Sequence, residues 1–154
     1  MLTSHAPVHV PDSLAEALAM RGDHPDAVVI AGGTDVMVSV EVGAINPPAF
    51  IDLWGLRELA TIRQGDDGGV SIGALMTHRQ IMANAAVNAA APSLVEAGQT
   101  VGARQIQNRG TLAGNIANAS PAGDTLPVLL TLDAEIEVES RARGVRRIPF
   151  RSLY

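Results

Sequence analysis

Apolar and polar positions along this chain keep two different rhythms. Near the start, Pro11-Asp12-Ser13 precedes Leu14, Ala17 and Leu18, an apolar stripe at helical spacing. Ser13 and Glu16 stand as a capping box at its head, and Gly22-Asp23 ends it. Val28-Val29-Ile30 is an unbroken apolar run, which predicts a buried strand. Ala31-Gly32-Gly33-Thr34-Asp35 follows as a turn, and 36–42 predicts a short helix. After Pro47-Pro48, Phe50-Ile51-Asp52-Leu53 predicts a second buried strand. Strand, glycine turn, helix and strand in this order make a βαβ unit with a parallel pair.

The rhythm changes after Gly55. Residues 59–63 and 70–74 flank Gly65-Asp66-Asp67-Gly68-Gly69, a hairpin signal. Thr77 and Gln80 form another capping box before an Ala-rich helix. Pro92 opens a further helix, predicted to end at Gly98. The stretch from Gly102 to Pro127 is dense in Gly, Asn, Ser and Pro, with an apolar helical stretch over 126–132. Residues 134–140 alternate apolar and acidic, as a half-exposed strand does, and 145–150 can pair with them across Gly144. The expected fold class is α+β, with a boundary near Gly55. A small βαβ lobe occupies 1–54, and a larger lobe with a mainly antiparallel sheet occupies 55–154.

Composition narrows the function more than the fold. Of 154 residues 47% are hydrophobic, and only Phe50, Phe150, Trp54 and Tyr154 are aromatic, so the core rests on aliphatic side chains. The net charge of −5 and the absence of a basic block argue against a nucleic-acid partner. The one basic run, Arg141 to Arg147, reads as a solvated hairpin turn. With no cysteine, this chain holds neither disulfides nor Cys-ligated iron–sulfur clusters. No apolar run reaches membrane-spanning length, and the N-terminus lacks a signal-peptide pattern. The expectation is a cytoplasmic protein with no membrane insertion.

Two glycine-rich turns carry the candidate chemistry. In Ala31-Gly32-Gly33-Thr34-Asp35, free backbone N–H groups at a strand-to-helix junction favour an anion, and glycine lets the backbone come close to it. Thr34 adds a hydroxyl, while Asp35, which would repel a phosphate, is expected to cap the helix. A plain tight turn explains this segment equally well. The second segment runs from Thr111 to Asp124. Asn115 and Asn118 can both donate and accept, and Asp124 can accept from ribose hydroxyls or cap the helix that follows. Two such turns, one per lobe, point to a dinucleotide in the cleft between lobes. A Rossmann-type nicotinamide site is the alternative, because Asp52 ends a strand ~20 residues after the first turn. Against it, the turn is Gly-Gly-Thr-Asp, and βαβ alternation stops at Gly55.

These motifs carry a resemblance. Ala31-Gly32-Gly33-Thr34-Asp35, the run from Arg104 to Asn115, and Ser120 to Pro127 together resemble the FAD-binding subunit of molybdenum hydroxylases, the family of the carbon monoxide dehydrogenase medium subunit and the xanthine dehydrogenase flavin domain. The resemblance spans nearly the whole chain and implies two α/β subdomains with FAD stretched between them. By this resemblance Gly32, Gly33 and Thr34 hold the pyrophosphate from one side, and Thr111, Gly114 and Asn115 from the other. Asp124 binds a ribose or adenine-side group, and Ala31, Asp35 and Val36 line the first turn. The chain departs from the family in three places. Ala113 stands where a second Gly is frequent, no Lys precedes the first turn, and the sequence stops where the family usually continues into a further C-terminal domain.

The implied role is electron transfer. A molybdopterin-binding subunit hydroxylates substrate, [2Fe–2S] clusters in an iron–sulfur subunit relay the electrons, and FAD passes them to a terminal acceptor. A non-catalytic scaffold or truncated subunit without flavin is the reading of another class. No catalytic or metal-binding residue is expected in this chain. His5, His9, His24 and His78 stand at no metal-ligand spacing with a carboxylate and read as surface or capping residues. Trp54 reads as a hydrophobic plug between the lobes.

Overall fold

The computed structural model describes residues 6–154; His5 lies outside the described residues. The N-terminal part is a three-stranded parallel sheet in the order β1-β3-β2, built from β1 (Val8–His9), β2 (Val28–Ile30) and β3 (Phe50–Asp52). Its register sets Val8 and Val28 on either side of Phe50. Helices α1 (Leu14–Asp23) and α2 (Val36–Glu41) connect the strands. The expected parallel pair is therefore present, and β1 adds an edge strand too short to show a pattern. The central strand takes the burial, with Ile51 at 0% exposure, whereas Val29 on the outer strand is 41% exposed. Val28–Ile30 is thus an edge strand, not the fully buried one its composition predicted.

Local signals explain the element boundaries. Ser13 Oγ accepts from the Glu16 N–H at 3.2 Å, but the Glu16 carboxylate reaches the Asp12 N–H at 2.7 Å and so closes only half of the expected capping box. Thr77 and Gln80 form the complete box at the start of α3 (His78–Met82). After the 3-10 turn Arg57–Leu59, the predicted hairpin pairs β4 (Ile62–Gln64) with β5 (Val70–Ile72). Helix α4 (Ala85–Ala90) follows, and α5 (Pro92–Thr100) runs through Gly98 without ending there. Gly98 is buried, and a Cβ on it would meet Met82 Cγ at 3.1 Å, so this glycine lets α3 and α5 pack closely.

The Gly- and Asn-rich stretch, which gave no helical pattern before 126, contains α6 (Arg104–Arg109) and α7 (Leu112–Asn118) ahead of α8 (Thr125–Thr131). The Thr111 hydroxyl caps α7, and Ala119 ends it in the left-handed conformation. The last hairpin pairs β6 (Glu135–Ser140) with β7 (Gly144–Pro149), with the Arg141–Arg143 turn at its tip and an exposed Arg147–Glu137 ion pair across it.

The main core joins α3, α4, α5, α7 and α8 through residues such as Ile81, Val87, Leu94, Ile116 and Leu129, and Phe150 belongs to it. A small cluster of Ala17, Leu56 and Leu75 packs α1 against the segment after β5. Among the described residues no helix is long and apolar enough to cross a membrane.

Candidate functional site

The first glycine turn leaves β2, and its backbone N–H groups determine what it can bind. Among the described residues no acceptor takes a hydrogen bond from the N–H groups of residues 32 to 36. Successive unpaired amides in a turn form a concavity suited to an anion. Gly33 lies at φ +76°, a left-handed conformation that exposes those amides and that residues with a Cβ reach only under strain. Asp35 stands at the helix-capping position, but its side chain makes no cap hydrogen bond, contrary to expectation.

Gly32 has a different reason to be glycine. A Cβ there would lie 1.8 Å from the Arg109 carbonyl oxygen and 3.2 Å from the Gly110 nitrogen. The first turn therefore presses directly on the connection between α6 and α7. That connection is held in turn by the Gly110 carbonyl, which accepts from the His78 N–H at 3.0 Å, and by a bridge between Thr77 and Thr111.

In the second turn the main-chain donors of Gly114 and Asn115 are already used. The Gly114 N–H donates to Thr111 Oγ1 at 3.0 Å, and the Asn115 N–H to the Thr111 carbonyl at 3.0 Å. Asn115 Oδ1 accepts from the fully buried Thr125 hydroxyl at 2.6 Å. That bond fixes the side chain and leaves the Asn115 amide NH2 and the Ala113 N–H without acceptors among the described residues. The two turns thus contribute unequally, with a run of main-chain donors from the first and the Ala113 N–H and the oriented Asn115 amide from the second.

Both turns open onto one cleft of about 620 Å³. Ala31, Gly32, Gly33, Thr34, Asp35 and Val36 line it on one side, and Thr111, Ala113, Gly114 and Asn115 on the other. Val29, Leu53 and Leu75 give it apolar surface. The volume lies within the range of small-molecule and cofactor sites. The groups present fit an elongated dinucleotide: amide donors for a diphosphate, glycine at the close approach, and aliphatic walls. Asp124 is not among the lining residues. It stands at the head of α8 without making a side-chain cap, so it neither joins the other candidates nor plays the expected capping role.

His78 is the residue that the pattern of the chain did not single out. It is 3% exposed and lines the cleft, not the surface. Burial pushes its imidazole below the usual value of 6.5, and the charge of Asp124 pulls it partly back. A capping position beside Thr77 was legible in the sequence; that this position lies beneath the second turn was not. His9 and His24 stack on each other at 4.5 Å between ring centroids. Asp52 lies outside the cleft and accepts from the Trp54 N–H at 2.9 Å, which removes the geometry that the Rossmann alternative requires. Trp54 also stays outside the cleft, with the Arg109 guanidinium 3.8 Å above its ring. Among the described residues no group of His, Asp and Glu is arranged to hold a metal.

Comparison with known proteins places this geometry. Residues 3–154 match the model of the FAD binding domain in molybdopterin dehydrogenase. The chain is 32% identical over 149 residues to the xanthine dehydrogenase FAD-binding subunit of Escherichia coli O157:H7, covering 97% of this chain and 51% of that subunit. It is 31% identical over 142 residues to the carbon monoxide dehydrogenase medium chain of Hydrogenophaga pseudoflava, covering 92% and 49%. Carbon monoxide dehydrogenase from Hydrogenophaga pseudoflava has a solved chain that superposes with a TM-score of 0.93 at 30% identity, over 98% of this chain and 52% of that one. Reconstituted CO dehydrogenase from Oligotropha carboxidovorans gives a TM-score of 0.94 at 28% identity, over 100% and 54%. The chain thus spans about half the length of the relatives it matches. In fold and in sequence, the chain belongs to the family of FAD-binding domains of molybdopterin dehydrogenases.

Proposed function

We propose that this chain binds FAD in the cleft between residues 1–54 and 55–154, as part of a molybdenum hydroxylase-type oxidoreductase. One observation carries the reading: the unpaired N–H groups of residues 32 to 36 line the same cleft as the oriented Asn115 amide. In this reading the Gly32, Gly33 and Thr34 amides hold the diphosphate, with Ala31, Asp35 and Val36 completing that wall. Thr111 and Gly114 shape the opposite wall through their cap, and Asn115 donates from it. Asp124 lies beyond the lining and takes a ribose or adenine-side group.

The flavin, when bound, supplies the redox chemistry; the protein binds it, orients it and excludes water. The role in the complex is electron transfer from the iron–sulfur clusters of one partner subunit to a terminal acceptor, with substrate oxidised at a molybdopterin-binding subunit. The names of the relatives support this division, and so does a chain with no cysteine to ligate a cluster. The test is the visible absorption spectrum of the purified chain after FAD addition and desalting. A flavin band near one equivalent per chain is expected. A chain that retains no flavin contradicts the reading and favours the scaffold.

A further inference from the structure

The cleft contains a buried side chain that the proposed binding scheme does not use. His78 begins α3, directly under the connection between α6 and α7. The point that a Gly110 Cβ would occupy is 3.4 Å from His78 Cδ2 and 3.5 Å from Thr34 Oγ1, so the imidazole and the first turn flank the same spot. No group of the described residues hydrogen-bonds the ring nitrogens, and no buried polar side-chain atom is left sealed without a partner. The ring nitrogens are therefore not sealed in the core, and His78 lines the cleft, although the residue as a whole is 97% removed from solvent.

We propose that His78 is a further anion-contacting residue of the cleft, and that the diphosphate of the bound dinucleotide enters together with one proton, taken from solvent by the His78 imidazole. This inference rests on the FAD reading above. In the free protein, burial favours the neutral ring. A diphosphate held on the 32–36 amides brings negative charge to the same spot and favours the imidazolium, which then donates a charge-assisted hydrogen bond. The charged groups around His78 are few. Asp124, from the head of α8, is the one whose charge reaches it. Of the helices packed on α3, α4 carries no charge, Glu96 on α5 is exposed, Arg104 on α6 is exposed, and the Arg109 guanidinium is held over Trp54. Gly110, Thr111 and Thr34 bring no charge; beside Thr34, Asp35 is the carboxylate of the cleft lining, and Arg79, next to His78 on α3, is exposed.

The test is the FAD dissociation constant of the chain measured between about pH 6 and pH 8, above the titration of its carboxylates. One linked proton makes binding tighter as pH falls, by at most about tenfold per pH unit. Isothermal titration calorimetry of the wild-type chain in two buffers of different ionisation enthalpy counts the proton directly. The expected result is a several-fold gain in affinity toward low pH with net proton uptake, and a flat profile in both His78→Gln and His78→Asn. FAD binding with no pH dependence and no proton uptake overturns the inference and leaves the FAD reading intact, as does an unchanged slope in both variants. Failure of the wild-type chain to bind FAD at every pH overturns both.

Discussion

Gly32 rests its bare Cα against the carbonyl of Arg109, so close that a Cβ would sit 1.8 Å from that oxygen. The contact joins a turn near the start of the chain to one more than seventy residues later, and it brings two sets of hydrogen-bond donors into one cleft. Glycine at this position thus serves the assembly of the site as well as access to a ligand. Gly32→Ala forces the two turns apart. The expected cost is about 1–3 kcal/mol of stability, the usual range for overpacking. Urea unfolding followed by the fluorescence of Trp54, the one tryptophan, measures it.

Gly33 makes a separate prediction. Its φ of +76° is strained for any residue with a Cβ, and that Cβ would meet Ile30 Cδ1 at 3.3 Å and Met37 Cγ at 3.4 Å. Gly33→Ala is expected to cost about 1–2 kcal/mol through the left-handed conformation alone. Gly33→Val adds a branched side chain to that strain and loses fold stability together with flavin affinity. Gly33→Asn, which tolerates the conformation better, is expected to retain more of both. Thermal melts and FAD titrations of the three variants in parallel check the order.

Asn115 depends on Thr125. Their 2.6 Å hydrogen bond is the contact that orients the Asn115 side-chain amide on the cleft wall. Thr125→Val leaves the Asn115 carbonyl without its partner. The expected loss is about 1–3 kcal/mol of stability, with weaker FAD binding. Thr125→Ser, which restores a hydroxyl, is expected to recover most of the binding. Equal FAD affinity in Thr125→Val and wild type would contradict a role for the oriented amide.

His78 also makes stability depend on pH in the absence of ligand. Burial holds its imidazole below 6.5 in the folded chain, so on acidification the unfolded chain takes up the proton first. The stabilisation due to the neutral ring is complete above pH 6.5 and is lost as pH falls through the lower, folded value. His78→Gln removes this dependence. Between about pH 7.5 and pH 5.5 its urea midpoint is expected to fall less than that of the wild type. Parallel curves for the two proteins would contradict the burial argument.

Much of the fold was legible because its punctuation is local. The Gly65–Gly69 turn, the Thr77 cap and the Gly144 hairpin each announce themselves within a few residues. Other features depend on partners distant in sequence. Strand β1 has two residues and exists through its pairing with β3. Val28–Ile30 is as apolar as a buried strand, but its edge position follows from strand order, which no local pattern encodes. Helices α6 and α7 were hidden because Gly and Asn weaken the helical pattern, while the Thr111 cap and the tertiary contacts restore it.

The candidate site divides in the same way. Both glycine turns were readable as motifs, but only the three-dimensional structure distinguishes their donors. It shows the first turn with unpaired amides and the second with the Gly114 and Asn115 amides committed to its own cap. His78 escaped notice because a lone histidine after a threonine cap looks like any other surface position until α6 and α7 are folded over it.

The most direct test of the central claim is an amide-resolved NMR titration of the labelled chain with FAD. Binding in the cleft predicts saturable shifts concentrated at Gly32, Gly33, Thr34 and Ala113 and at the Asn115 side-chain amide, with no comparable response to a nicotinamide dinucleotide. Shifts confined to residues outside the two turns, or the same response to both dinucleotides, would contradict it.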